Sequence, residues 1–468
     1  MNELCGIGMV GLGTMGRNLA LNMADHGFLV AGLDLDTGQV QAMADESGGC
    51  VLAFGDAASF VKSLAKPRAV MIMVPAGGPV DAVIQLLVPL LEPGDILIDG
   101  GNSFFRDTER RRAALAEQQI EFIGVGVSGG EEGARHGPSM MAGGTESSYA
   151  RVAPILEAIG AKASDGQSCV GRMGSGAAGH YVKMVHNGIE YGMMQLIAEA
   201  YDFVRRAGDA TNDEAADAFT TWSKGAAGGY LLEITAEVLA KRDGESEEYL
   251  VDVIVDGAKQ KGTGKWTSQD AMDLGVPIPT IDAAVSARQM SGYLLQRQAA
   301  SKVYGRLPMT INPDWDRVGD ALHAAFLLTF AQGFSVLARA SAEYGFGLDF
   351  AKAASVWREG CIIRCKLLPA IRDAFSTNPS LANLLMARPI TETMQHLEGS
   401  LRWIVAEMAR ARVPAPAFSA SLAYLDSYTS GRLPANLIQG LRDCFGAHGY
   451  ERIDKPGTFH SEWGLQNG

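Results

Sequence analysis

Short apolar runs at 4–10, 29–33, 69–74, 96–99 and 121–127 punctuate the first part of the chain. Between them, at 15–26, 79–91 and 106–118, the apolar positions recur every three or four residues. The first kind of run predicts strands and the second predicts helices. Their alternation predicts βαβ units around a parallel sheet. A weaker pair, SMMAGG followed by ESSYARVAPILEAIG, carries the pattern to about residue 165.

From about Ala177 the character changes to Ala, Leu, Met and Glu at helical spacing, with few strand-like runs. The stretch SGAAGHYVKMVHNGIEYGMMQLIAEAYDFVRRAG predicts one long helix crossing a core. Its Gly188 and Gly192 each weaken it by about 1 kcal/mol relative to Ala, unless close packing or a ligand needs the room. Further helices are expected to about residue 430, and the last stretch, FGAHGYERIDKPGTFHSEWGLQNG, reads as loop. The fold class expected is α/β plus all-α. It divides into an α/β domain at 1–176, a helical domain at 177–435 and a carboxyl-terminal segment at 436–468.

A length of 468 residues supplies enough chain for two or three domains. The net charge of −13 argues against a nucleic-acid partner, which would need a basic face. An anionic small molecule stays allowed if its counter-charge is local. Cys5, Cys50, Cys169, Cys361, Cys365 and Cys444 form no CxxC pair and no metal-ligand spacing, which suits a reducing cytoplasm. The start, MNELCGIGMV, is not a signal peptide, and no run approaches the roughly 18 apolar residues of a membrane span. A cytoplasmic protein without a membrane partner is expected.

GLGTMG at 11–16 fits G-x-G-x-x-G, follows a predicted strand and opens a predicted helix. Asp34 stands at the end of the next strand, and this context makes the motif a dinucleotide fingerprint. Gly11 makes the turn, Gly13 admits the pyrophosphate, and Gly16 allows helix–sheet packing. The helix amino terminus at Thr14 and Met15 faces the anion, with Leu12 in the same loop. Asp34 then accepts from the ribose hydroxyls, and Asp36 adds a second charge with no Arg or Lys before Lys62. At about 5 Å and an effective dielectric near 20, each like-charge pair costs about 3 kcal/mol. Half of that disfavours a 2′-phosphate by more than about tenfold. Helix capping is the other reading of Asp36.

Lys183, His186, Asn187 and Glu190 fall at i, i+3, i+4 and i+7, one face of the long predicted helix. A solvated charged face would share that spacing. The apolar neighbours Val182, Met184, Val185 and Ile189 argue instead for burial, and a buried lysine tends toward the lowered pKa of a base. IDGGNSFFRD and GVSGGEEGARHGPSMMAGG place Asn102 and Ser128 at strand ends, where ligands of α/β sheets bind. QKGTGKWT spaces Lys261 and Lys265 by glycine, which suits a phosphate or an ordinary surface turn.

These stretches together resemble the 6-phosphogluconate dehydrogenase family nearly end to end. IDGGNS, GVSGGEEGAR, KMVHNGIEYG, QKGTGKWT, FAQGF, CIIR and LRDCFGAHGYERIDKPGTFH carry the likeness, with the segment around Arg288. The resemblance implies a Rossmann-type domain, a large helical domain and a homodimer with shared sites. It implies oxidative decarboxylation of 6-phosphogluconate to ribulose 5-phosphate with hydride passing to NAD, preferred here, or to NADP. In that scheme Lys183 matches the general base and Glu190 the acid that protonates C1. Ser128, Gly129, Gly130, His186 and Asn187 match the carboxylate and hydroxyl contacts. Tyr191, Lys261, Thr263 and Arg288 match the phosphate end, and Arg442 and His448 match residues arriving from the partner subunit. Asn102 and Val74, Pro75 and Ala76 match cofactor contacts, with Met15 beside the nicotinamide. No metal is implied, since a β-keto acid decarboxylates without one.

The departures from the family pattern carry information of their own. NADP-dependent members read Asn-Arg-Thr where this chain has Asp34, Leu35 and Asp36. Pro75 stands where many have lysine, Ala177 replaces a glycine, Met193 replaces an acid, and the tail after Trp463 is short. A related β-hydroxyacid dehydrogenase would share the glycine loop and the lysine helix, but would have no use for Tyr191, Lys261, Arg288 and Arg442 together. A non-catalytic sugar-phosphate or NAD-binding protein would not need both Lys183 and Glu190.

Overall fold

Every residue of strand β1 (Ile7–Val10) is apolar or glycine, and every one is buried, because helices cover both faces of the sheet around it. The computed structural model describes residues 4–260, 262–305 and 309–464. Around β1 lie β2 (Val30–Leu33), β3 (Val51–Phe54), β4 (Ala69–Ile72), β5 (Ile96–Asp99), β6 (Glu121–Ser128), β7 (Ser139–Ala142) and β8 (Val170–Arg172). Among the described residues they form one eight-stranded sheet in the order β3-β2-β1-β4-β5-β6-β7-β8. The chain reverses direction across the sheet between β1 and β4, which opens a crevice at their carboxyl ends.

The parallel expectation holds from β3 to β6 and fails once. β7 pairs antiparallel with β6, from Val125–Ala142 to Ser128–Ser139. The connection between them is the short helix Gly130–His136 with its flanking residues, below the dozen or more that a parallel crossover needs. β3 and β8 were not expected. Both lie at the edges of the sheet; β3 is a continuous apolar run, VLAF, that the pattern reading passes over, and it is only partly covered, with Leu52 exposed.

The helix Ala178–Arg206 runs 29 residues, and from Ala178 to Ile189 every side chain is buried. It packs on β6 and β7 on one side and on the helices Thr263–Asp273, Pro279–Ser291 and Trp315–Tyr344 on the other. Small residues permit this. A Cβ on Gly188 would stand 2.7 Å from the Thr267 methyl, and one on Gly192 would stand 2.7 Å from that of Thr329. The helix weakness expected at these glycines is therefore the cost of close packing. Ala177, in place of the family's glycine, sits at φ −82°, a conformation open to any residue. Trp315–Tyr344 is long and apolar enough to span a membrane by composition, yet 83% of that window is buried inside the protein, so it is a core helix.

Leu422–Gly468 forms a second compact unit. Within it the helix Ala435–Gly446 leads into a two-stranded hairpin of β9 (Tyr450–Glu451) and β10 (Thr458–Phe459), where the sequence pattern reads as loop. Asp443 organises this unit: its carboxylate accepts from the Gly449 and Ser461 amides, from His460 Nδ1 at 2.9 Å and from Trp463 Nε1 at 2.8 Å.

Helix and sheet approach closely at Gly179, where a Cβ would stand 2.4 Å from the carbonyl oxygens of Gly124 and Met141. Those atoms are backbone and cannot swing aside. Gly179→Ala is expected to destabilise the protein by about 2–3 kcal/mol in urea unfolding; an unchanged midpoint and slope would contradict this packing.

Candidate active site

The crevice between β1 and β4 is lined by the glycine loop. Gly11 adopts φ +91°, and a Cβ there would meet the Met73 carbonyl oxygen at 2.5 Å, so only glycine fits. Gly16 lets the helix Thr14–Asp25 start against Gly11, whose carbonyl oxygen would lie 1.9 Å from a Cβ. Gly13 differs: nothing stands within 4 Å of its open side. Gly13 and Thr14 are exposed at the helix start and Met15 is half-buried, while Pro75, Ala76 and Asn102 are exposed on neighbouring loops and Val74 is half-buried. An open approach to backbone at a helix amino terminus fits a pyrophosphate.

Asp34 is more occupied than its sequence context suggests. Oδ2 accepts from the Leu12 amide at 2.8 Å and Oδ1 from the Asp36 amide at 2.9 Å. The carboxylate thus ties the glycine loop to the end of β2 and retains lone pairs for further donors. Leu12 itself is fully buried, so its side chain packs in the core and its amide is already engaged. Asp36 caps the helix Thr37–Ser47 through the Gly38 amide at 2.8 Å, in keeping with the capping reading. Its charge remains at the cleft edge beside the exposed Leu35, and among the described residues no ion pair neutralises Asp34 or Asp36.

The polar face of the long helix is assembled as its spacing predicts. Lys183 Nζ donates to Asn187 Oδ1 at 2.6 Å and lies 3.4 Å from both Ser128 Oγ and His186 Nδ1. Ser128 ends β6 and contacts His186 Nε2 at 3.3 Å. Gly126 makes the approach possible, since a Cβ there would overlap that of Lys183 at 2.2 Å. Asn187 Nδ2 donates to Thr263 Oγ1 at 3.0 Å, which brings the helix Thr263–Asp273 to the site. Gly129 and Gly130 follow Ser128 at φ +120° and +63°, and a side chain on Gly129 would strike the Gly360 carbonyl oxygen at 2.6 Å.

Burial governs the titration of this cluster. Lys183 is 6% exposed, and loss of solvent pulls its ammonium pKa down, against the opposing pull of Glu190 and then Cys361. His186 is held well below its ordinary value by burial and then by Lys183, so it is neutral. Glu190 is pushed up by burial, against Lys183 and Arg288. A lysine shifted toward the amine and a carboxyl shifted toward the acid therefore share one face. Such a pair can take a proton at one position and deliver one at another.

Beyond Glu190, the Arg288 guanidinium lies 3.5 Å over the Tyr191 ring, and no ion pair among the described residues uses it. Tyr191 is wedged in by Gly264, where a Cβ would meet the ring at 2.4 Å. Lys261 lies outside the described residues. Arg442 and His448 belong to the second unit; Arg442 Nη1 donates to Gln439 Oε1 at 3.2 Å, and the His448 ring meets Phe445 edge-on at 5.9 Å. Sequence reasoning misses Cys361 and Trp357, the latter packing edge-on against His186 at 5.7 Å. Only the CIIR stretch hints at them.

Comparison with known proteins gives two family matches. Residues 6–174 match the NAD binding domain of 6-phosphogluconate dehydrogenase, and residues 179–463 match the 6-phosphogluconate dehydrogenase C-terminal domain. The decarboxylating 6-phosphogluconate dehydrogenase of Escherichia coli is 48% identical over 462 residues, spanning 98% of each chain. That of Lactococcus lactis subsp. cremoris is also 48% identical, over 97% of this chain and 98% of its own. The solved Plasmodium falciparum 6-phosphogluconate dehydrogenase, studied apo, with its cofactor NADP+ and with its substrate 6-phosphogluconate, superposes at a TM-score of 0.95. It is 38% identical and covers 98% of this chain and 100% of its own.

Gly13 separates binding from folding. Its φ of −64° is open to alanine, so Gly13→Ala is expected to leave thermal stability unchanged or raise it by about 0.5 kcal/mol. The added methyl occupies the anion's approach and is expected to weaken dinucleotide binding by about tenfold or more in a fluorescence titration. Unaltered binding would move the pyrophosphate away from this loop.

Proposed function

The chain belongs to the 6-phosphogluconate dehydrogenase family, and we propose how its site carries out the oxidative decarboxylation of 6-phosphogluconate and which electron acceptor it prefers. The observation behind the mechanism is that the buried Lys183 and the half-buried Glu190 share one helix face, where loss of solvent favours the amine of one and the acid form of the other. A shorter β-hydroxyacid dehydrogenase is not favoured, since the match continues through the helical domain to residue 463.

The glycine loop and the Val74–Ala76 and Asn102 loops would hold a nicotinamide dinucleotide, which when bound would supply the acceptor for the C3 hydride. Lys183, as the amine, takes the proton of the C3 hydroxyl. The ammonium so formed stays beside the new ketone oxygen and supports its negative charge as the C1–C2 bond breaks and the C1 carboxylate departs as carbon dioxide, leaving the former C2 as C1 of a five-carbon enediol. Burial strengthens that support, because little water screens it. Glu190, in its acid form, then protonates C1 of the enediol to give ribulose 5-phosphate. Ser128, Gly129, Gly130, His186 and Asn187 hold the sugar acid. Tyr191, Thr263, Arg288 and Lys261 hold its phosphate.

For the acceptor we favour NAD. Asp34 and Asp36 put two uncompensated carboxylates where a 2′-phosphate would sit, and Pro75 removes a cation nearby. The E. coli and L. lactis relatives share the activity, and the P. falciparum relative takes NADP+, so the acceptor choice rests on these few residues alone. We also favour a cytoplasmic homodimer whose sites are completed by Arg442 and His448 of the neighbouring copy, with 1–176, 177–435 and 436–468 as its domains.

Steady-state assays with 6-phosphogluconate are expected to give a kcat/KM for NAD at least about tenfold above that for NADP; a preference for NADP would overturn the reading of Asp34 and Asp36. Lys183→Met is expected to abolish turnover while dinucleotide binding persists, and retained turnover would remove Lys183 from the base role. The pH dependence has a definite sign. Turnover rises with pH as Lys183 loses its proton through its lowered pKa, and falls as Glu190 loses its own through its raised pKa. Glu190→Gln is expected to flatten the alkaline limb of kcat/KM; an intact limb would assign it to another group.

A further inference from the structure

Besides the Thr267 hydroxyl, which donates to the Met184 carbonyl at 2.8 Å, the helix that carries Thr263 is fixed to the helix that carries Lys183 at two further points. One is the Lys183–Asn187–Thr263 chain of hydrogen bonds. The other is Asp270, which lies seven residues beyond Thr263, two turns along the same helix. Asp270 is 2% exposed, and its two oxygens collect three donors from three other elements. Oδ2 accepts from the Tyr181 hydroxyl at 2.6 Å. Oδ1 accepts from the Tyr344 hydroxyl at 2.9 Å and from Arg106 Nη2 at 3.2 Å.

Each donor comes from a different part of the site. Tyr181 precedes Lys183 by two residues on the long helix and is fully buried. Tyr344 ends the core helix Trp315–Tyr344. Arg106 sits on the helix Phe105–Ala116, four residues after Asn102 and just beyond the IDGGNS loop. Aromatic contacts run along the same seam: Phe104 meets Trp266 at 5.0 Å, and Phe105 meets Tyr181 edge-on at 4.9 Å. The IDGGNS loop is itself rigid from within, since Asp99 Oδ2 accepts from Ser103 Oγ at 2.7 Å. Burial and then the Asp270 carboxylate push the Tyr181 hydroxyl up, so it remains a donor at any working pH.

We propose that Asp270 is a positioning residue for the reaction: a buried carboxylate that holds the Asn102 loop, the Lys183 helix and the Thr263 helix in one register through Arg106, Tyr181 and Tyr344. It touches neither substrate nor cofactor. Its effect is on the distance between the sugar acid, held by the two helices, and the nicotinamide, held beside the Asn102 loop. Hydride transfer depends steeply on that distance, and a shift of about 1 Å can cost up to about a hundredfold in rate. Ground-state binding of either ligand alone depends on it much less. Arg106 is the exposed member, with its side chain 53% accessible, so it can be removed without opening the core.

This inference rests on the assignment of Lys183 and Thr263 to the site, and the experiment separates the two. In the full-length protein, Lys183→Met tests the site. Arg106→Met, Arg106→Lys and Asp270→Asn, assayed with 6-phosphogluconate deuterated at C3, test the register. Arg106→Met is expected to lower kcat about tenfold with each KM within about threefold, to leave the melting temperature unchanged, and to raise the deuterium isotope effect on kcat. Arg106→Lys is expected to restore most of kcat, and Asp270→Asn, where it folds, to lose more than Arg106→Met. A normal kcat and isotope effect in Arg106→Met, or a fall in kcat with no change in isotope effect, would reduce the cluster to a structural role. Arg106→Met decides the matter by itself if Asp270→Asn does not fold.

Discussion

Placing the amino group of one lysine out of water is the constraint from which the rest of this site follows. An isolated ammonium in a protein interior is expensive, and a group so placed shifts toward its neutral form unless it is paired. Lys183 makes a single short hydrogen bond, to Asn187, and two longer contacts. The structure thus tolerates the charge without securing it, which suits the base role proposed for it. Glu190, two turns further along the helix, meets the complementary requirement, because the same burial favours its acid form. The pair works only if the helix is sunk between sheet and helices, and the glycines at 126, 179, 188 and 192 are what allow it to sink.

The acidic composition of the chain and the anionic substrate of the family are reconciled by local geometry. Arg288 is kept out of the ion pairs that engage many of the protein's other arginines, lying over Tyr191 instead. A guanidinium on an aromatic face keeps its edge donors available to a phosphate while its plane is supported. At the glycine loop the sign is reversed, with two carboxylates, Asp34 and Asp36, that no ion pair among the described residues engages. On the proposed reading the two ends of the site would act by opposite means, one attracting a phosphate and the other disfavouring a second one.

How much of this was legible in the sequence depends on the range of the interaction involved. Strands β1, β2, β4, β5 and β6 were legible because burial on both faces makes them continuously apolar, and the Lys183 face was legible because helical spacing is local. Edge strands β3 and β8 were not: β3 is four apolar residues and β8 only three residues, too short for a run to stand out. The antiparallel turn of β7 follows from a connection length that the glycine-rich sequence does not advertise. The residues around Asp443 read as loop because a carboxylate gathering distant amides leaves no periodicity. Asp270 was invisible for the same reason, as its three donors come from helices far apart in the chain. Resemblance to a family named the substrate contacts that spacing could not.

Asp34 shows where fold and specificity overlap. In the sequence it reads as a ribose ligand whose identity is free to vary with the cofactor. In the structure one of its oxygens holds the Leu12 amide and the other holds the Asp36 amide. Leu12 is packed in the core beneath β2, so the carboxylate connects the core to the cofactor loop. A residue in this position cannot be exchanged for its cofactor preference alone, because the new side chain must also receive the Leu12 amide. Asp36 carries a lighter burden, one capping bond at the start of a surface helix, and Leu35 carries none that its exposure reveals. A replacement at 34 that keeps an acceptor oxygen, as asparagine does, meets that demand, and at the two positions that follow, charge can change without loosening the glycine loop.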